Sequence, residues 1–175
     1  MNIMTTTLTT PATARGASMS DIRIVRDYPH ARRKVWRALT DPALMALWMM
    51  RPEGFEPVVG TRFKLVAKPE PGWRGFVECE VLEAREPSRL RYSWVGDEKR
   101  PPMEVTYSLE PHGSGTRLTF LHTGFAGVGG FILAKLMMGP GWKKMLGVRV
   151  PEVLADVDDE GKLRVGSALK PKYSP

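Results

Sequence analysis

The stretch "MEVTYSLEPHGSGTRLTFLH", residues 103–122, decides the fold. Met103, Val105, Tyr107 and Leu109 alternate with Glu104, Thr106, Ser108 and Glu110. A period of two is that of a strand with one buried and one wet face. "PHGSG" supplies the residues of a turn, and Leu118, Phe120 and His122 then resume the same spacing. Two such runs across a turn predict an antiparallel hairpin.

The pattern continues upstream. "TRFKLVAK" places Phe63, Leu65 and Ala67 on one face. "GFVECEVLEA" sets Val77, Cys79 and Val81 against Glu78 and Glu80, and "RLRYSW" gives Leu90, Tyr92 and Trp94. The turns "PEPG", "EPS" and "GDEKRPP" separate the runs. The span 54–122 therefore reads as an antiparallel meander with one apolar face. Before it, "DIRIVRDY" predicts a strand ended by Pro29. "HARRKVWRAL" has helical spacing at Val35, Trp36 and Leu39. Asp41 as N-cap and Pro42 as first residue predict a second short helix, with Leu44, Leu47 and Trp48 on its buried side.

After "TGFAGVGG" the period becomes helical. "FILAKLMM" carries one charge, Lys135, and Gly139-Pro140-Gly141 predicts an interruption. Trp142, Met145, Leu146, Val150, Val153, Leu154 and Val157 then form one stripe. Pro151 strikes the carbonyl of Gly147, which predicts a kink there. A sheet with one apolar face needs a cover, and only this stripe is long enough to provide it. The predicted fold is α+β: a curved antiparallel sheet wrapped around a long C-terminal helix, with two short helices after the first strand. Such a sheet leaves a cavity at its open end, with Trp48 near the opening and Trp36 packing helix on sheet.

The chain has 175 residues and a net charge of +7. That length fits one domain with tails and a core that needs no disulfide or metal. We expect residues 1–20 to be a disordered tail, 21–157 the domain and 158–175 a C-terminal tail. "MNIMTTTLTTPATARGASMS" lacks the apolar run of a secretory signal, and Met19 is an alternative natural start. Cys79 is the only cysteine. It reads as a small buried strand residue, and a cytoplasmic location is expected. Arg32, Arg33, Lys34 and Arg37, like Lys143, Lys144 and Arg149, read as solvated helix faces. No nucleic-acid motif accompanies them, so no nucleic-acid partner is expected. "DVDDEGKLRVG" puts Asp156, Asp158, Glu160 and Gly161 at calcium-loop positions, but Ser167 stands where the bidentate glutamate belongs. It reads as a polar turn.

"VWRALTDPALMALW", "GTRF", "LRYSW", "GTRLTFLHTGF" and "GWKKML" occur in this order. Together they resemble the SRPBCC group of the START-like, helix-grip superfamily, and are most similar to homologues of the activator of heat-shock protein 90 ATPase. The resemblance covers Asp21 to Val157. It implies an antiparallel sheet gripping a C-terminal helix around a deep apolar cavity. Members bind lipids, sterols, polyketides or hormones; some are cyclases, others chaperone co-factors. The chain departs from the commoner pattern at Trp48-Met49-Met50, where many relatives pair tryptophans, and in the apolar "GGFILAKLMMGP".

Three functions follow. The first is binding of a small apolar or aromatic ligand by Trp48, Phe63, Tyr92, Trp94, Tyr107, Phe120, His122, Met137, Met138, Trp142 and Met145. The hydroxyls of Tyr92 and Tyr107 and the His122 imidazole would be polar anchors; the alternative for each residue is a dry core. The second is an enzyme of the cyclase or hydrolase type with His122 as acid or base. Its alternative is a strand-end histidine bonded to backbone, and His30, His112 and His122 have no metal-binding spacing. The third is a chaperone co-factor or membrane-surface protein. "GFAGVGGFILAKLMMG" is too short to span a bilayer and reads as a lid that inserts at an interface or closes the cavity. No metal or cofactor is expected, and the chain reads as a monomer or homodimer. Deleting Met1 to Ser18 should leave unfolding free energy within about 0.5 kcal/mol of the full chain. A denaturant titration measures this, and a loss of several kcal/mol would mean that the segment packs on the domain.

Overall fold

In a computed structural model, which describes residues 20–171, the alternating runs become strands of one antiparallel sheet. β1 (Ile22–Tyr28) is followed by α1 (Arg32–Thr40) and α2 (Pro42–Trp48). Then come β2 (Arg51–Glu53), β3 (Arg62–Val66), β4 (Phe76–Arg85), β5 (Arg89–Trp94), β6 (Met103–His112) and β7 (Gly115–Thr123). The sheet order is β1-β7-β6-β5-β4-β3-β2. The meander is thus closed at one edge by the first strand, with Ile24 opposite Phe120. The fold is the α+β helix grip: a curved seven-stranded sheet around a long C-terminal helix. The tail expected at residues 1–20 lies almost wholly outside the described residues, as do the last four residues.

The period-two reading gives the buried face except on β6, where Met103 is only half-buried and Thr106, read as outward, is buried. Phe63, Leu65, Val77, Cys79, Val81, Leu90, Tyr92, Trp94, Val105, Tyr107, Leu109, Leu118, Phe120 and His122 are all buried. Asp41 caps α2 as expected, its Oδ1 accepting from Ala43 N at 2.9 Å and Leu44 N at 3.3 Å. Strand β2 has no counterpart in the sequence reading. Three residues are too few for a period, and Pro52 argues against a strand except at an edge, where β2 lies.

Residues 158–171 fold back against the domain. Val157 bridges Leu163, Lys162 N donates to Asp158 Oδ1 at 2.8 Å, and Ser167 Oγ donates to Asp156 Oδ2. The acidic stretch is a turn closed by its own backbone. Among the described residues no cluster of acids, histidine and cysteine is placed to hold a metal.

The C-terminal helix corrects one expectation. Gly139-Pro140-Gly141 does not interrupt it: the backbone stays helical over 127–156, with Gly139 at φ −58, ψ −51. Each proline is instead preceded by a wide π turn, Leu133–Met138 before Pro140 and Met145–Arg149 before Pro151. Gly139 N donates to Ala134 O and Val150 N to Met145 O, each reaching five residues back. Proline lacks an N–H and crowds the carbonyl four residues earlier, and widening the turn removes that crowding. A Cβ at Gly139 would stand 2.8 Å from Ala134 O, so only glycine fits this wide turn without a shift.

Widening leaves an acceptor without its donor. The N–H that would next serve Leu146 O belongs to residue 151, a proline. Tyr28 at the end of β1 fills the gap, its buried hydroxyl donating to Leu146 O at 2.7 Å. Tyr28→Phe should therefore cost about 1–3 kcal/mol by leaving a buried carbonyl unpaired. Pro151→Ala, which restores an N–H, should reduce that cost in the double variant. Chemical denaturation of the four proteins gives the coupling.

Candidate functional site

The interior below the helix is filled. Trp142, 1% exposed, lies against Phe120 with ring centroids 4.3 Å apart. Its indole N–H donates to His122 Nδ1 at 3.0 Å. Tyr92 and Tyr107 pair hydroxyl to hydroxyl at 2.9 Å, and burial raises both phenols far above their ordinary range. The expected polar anchors are thus bonded within the core. Trp48 is not at an opening either. It is fully buried, its ring set edge-on to Tyr107, and its indole N–H donates to Ala38 O at 2.9 Å, tying α2 to α1. Trp36 is buried on α1, which packs on β6 and β7, in the structural place expected of it.

His122 is the unusual group in this core. Its ring lies against Trp94 and Phe125, with centroids 5.2 and 4.8 Å away. Because Nδ1 accepts from Trp142, the neutral ring carries its proton on Nε2, and that buried nitrogen has no hydrogen-bond partner. Burial pushes the imidazole down to about 3. Its acceptor nitrogen is occupied, so no lone pair is free for general-base work in this arrangement.

The open space lies at the end of the grip. A cleft of about 800 Å³ runs between the first half of the C-terminal helix and the outer ends of β4, β5 and β6. Its apolar wall comprises Met50, Trp73, Val77, Trp94, Met103, Leu133, Met137 and Met138. Gly96 and the loop Asp97–Pro101 form the opposite lip. The Trp94 indole nitrogen is 3.9 Å from where a Cβ on Gly96 would sit, so the lip lies beside the edge of that ring. Trp73 stands on a tight turn in which Glu70 and Trp73 exchange both backbone hydrogen bonds, at 3.2 and 2.9 Å.

Arg74 is the fixed cation of the rim. Its guanidinium lies 4.1 Å over the Phe76 ring and donates to Glu98 at 2.9 Å and to Glu78 at 3.1 Å. Arg100 pairs with Asp97 at 3.6 Å.

Of the residues expected to line a cavity, Trp94, Met137 and Met138 face this cleft. Tyr92, Tyr107, Phe120, His122 and Trp142 are buried core, and Met145 packs half-buried against them. Phe63 borders a second, shallow trough with Cys79, among Arg62, Lys64, Glu78 and Glu80. The sequence reading missed Met50, Trp73, Arg74, Met103 and Leu133 as a group. One signal was available: "PEPGWRG" sets a tryptophan in a turn, where no core requires it.

Residues 29–153 match the family model described as "Activator of Hsp90 ATPase homolog 1-like protein". The chain belongs to this family. The family match and the similar solved structures place it in the SRPBCC helix-grip superfamily. MLL2253 from Mesorhizobium loti is similar at 30% identity and a TM-score of 0.68, over 79% of this chain and 98% of that one. CalU16 from Micromonospora echinospora is 27% identical with a TM-score of 0.58, over 77% and 79% of the two chains. DynU16, a protein of the dynemicin biosynthetic locus, is 24% identical with a TM-score of 0.63. That match spans 79% of this chain and 48% of DynU16, and it speaks for the shared fold alone. A search of the curated proteins found no match.

Burial of His122 predicts acid sensitivity. An unfolded imidazole takes up a proton near pH 6.5, the folded one only near pH 3. Between these values the unfolded chain binds more protons, so stability falls as pH falls. The loss from this group should reach roughly 2 kcal/mol by pH 5. His122→Gln, whose side-chain oxygen can accept from Trp142, should flatten the pH dependence between pH 6.5 and 4. Thermal midpoints measured across that range check it.

Proposed function

We propose that this protein binds a small molecule with an apolar or aromatic body in the cleft between the C-terminal helix and the β5–β6 lip. The observation that carries the reading is the composition of that cleft. Two tryptophans and four methionines line about 800 Å³ of open space, beside a core of buried side chains. Ligand sites of roughly 300–1,000 Å³ are mostly apolar with a few oriented polar groups. Here the polar group is Arg74, held by Glu78 and Glu98. Methionine side chains adapt to irregular outlines, which suits a site tolerant of ligand shape. The ligand therefore lies over Trp94 and Trp73 with its polar end toward the rim. Membership of a superfamily built around such spaces supports the reading. No described residue supplies a mechanism for chaperone work.

Trp73 is half-exposed at the edge of the core and Met137 largely exposed, so neither is among the buried side chains of the core. A naphthalenesulfonate dye or a fluorescent fatty acid should bind the wild type and quench its tryptophan emission. Trp73→Ala with Met137→Ser should weaken binding by about tenfold, or 1.4 kcal/mol, while the protein stays folded at the assay temperature. Gly96 has an ordinary backbone conformation, and a Cβ there would only touch the Trp94 indole nitrogen at 3.9 Å, so Gly96→Leu should narrow the cleft and weaken large ligands most. Titration of each variant by fluorescence and calorimetry decides the matter. Affinity equal to wild type in both variants would remove the cleft as the site.

A further inference from the structure

The first half of the C-terminal helix carries an outward face that the cleft does not use. Val128, Phe131, Ile132 and Leu136 are 79%, 43%, 47% and 73% exposed. With Lys135 they occupy the spacing i, i+3, i+4, i+7 and i+8, which is one side of a helix. The other side holds Gly130 and Ala134, both buried, and Leu133, packed against the core. The helix is therefore anchored by small residues and presents its large apolar ones to solvent. A contiguous exposed apolar face of this kind marks an interaction site.

Charge identifies the partner. From Pro111 to Pro151 the sequence contains no aspartate or glutamate. The charges beside the apolar face are Lys135 within it and Lys143 and Lys144 on the next turns, all exposed. Across the cleft, Asp97 and Glu98 are engaged by Arg100 and Arg74, and Lys99 is exposed. A second copy docking through this face about a two-fold axis would set these cations against themselves. An anionic lipid surface matches both features: acyl chains accept Phe131 and Leu136, and headgroups accept the lysines. Lys135 can extend along the helix to reach the headgroups while its stem stays apolar. No helix among the described residues is long and apolar enough to cross a membrane, so the contact is one of lying on the surface.

We infer that residues 128–144 of the C-terminal helix form a docking face for anionic membrane surfaces, with Val128, Phe131, Ile132 and Leu136 inserting and Lys135, Lys143 and Lys144 meeting the headgroups. The face adjoins the cleft through Met137, which is 68% exposed and lines the cleft wall. Docking does not depend on the cleft being occupied.

Flotation of the full chain with vesicles tests this. The protein should float with phosphatidylglycerol-containing vesicles and not with pure phosphatidylcholine, and added salt should release it. Phe131→Ser with Leu136→Ser should abolish flotation at an unchanged thermal midpoint, and Lys143→Glu with Lys144→Glu should reduce it severalfold. The Trp73→Ala, Met137→Ser variant should still float, which separates this face from the ligand cleft. Cys79 is buried. A dye on Leu136→Cys can therefore be read alone, and its emission should shift to the blue on anionic vesicles. Absence of flotation, or flotation unaffected by either double variant, would overturn the inference. So would light scattering that shows a dimer dissolved by Phe131→Ser with Leu136→Ser in a protein that ignores vesicles, because the partner would then be a second copy.

Discussion

The contact between Trp142 and the centre of the sheet is the constraint on which the rest depends. One indole ring packs on Phe120 and spends its only donor on His122 Nδ1. Through it the long helix is fixed in position and rotation against β7, the strand that also pairs with β1. With Trp142 in place, Tyr92, Tyr107 and Phe120 are buried, and one tyrosine hydroxyl donates to the other. Burial in this core holds His122 in its neutral form, because a desolvated ring cannot carry a proton cheaply. The grip is tight along the second half of the helix and opens only beyond Trp142, toward Met138 and Leu133, where the cleft begins.

The helix reaches that far because its prolines are absorbed. Proline inside a helix ordinarily costs a hydrogen bond and a clash. Here each is preceded by a turn widened to reach five residues back. The first widening needs the absence of a side chain at Gly139, and the second leaves Leu146 O to be served by Tyr28. A helix broken at Gly139 would not carry Leu133, Met137 and Met138 across the end of the sheet, and the cleft would lack a wall. The prolines therefore act on the site through helix direction.

The segment 127–138 then has two faces with separate consequences. One completes the cleft. The other leaves large apolar residues in water beside cations and no acids. Leaving apolar side chains exposed forgoes stabilisation of the order of 1.5–3 kcal/mol each, which a purely structural helix would have no reason to forgo. An apolar ligand of the proposed kind accumulates at membrane surfaces, and the proposed docking face beside the cleft is consistent with that chemistry.

The strands, their inward faces, the cap at Asp41 and the order of elements were legible in the sequence. They are governed by local periods of two and 3.6 and by short-range turn and capping chemistry, all written within a few residues of one another. The family could be read from the same ordered motifs. Three things were not legible. The first was the continuity of the helix through Gly139-Pro140-Gly141, which depends on a wide turn and, at the second proline, on a tyrosine more than a hundred residues away. The second was the position of Trp48, which a helical period places on the buried side but cannot place at a mouth or in a core. The third was the site itself. Period assigns a residue to the inner face, but whether that face is filled or hollow depends on which side chains arrive from opposite elements. Trp142, from the far end of the chain, fills the middle of the grip and leaves the space beside Trp94 to a turn and a loop that carry no periodic signal.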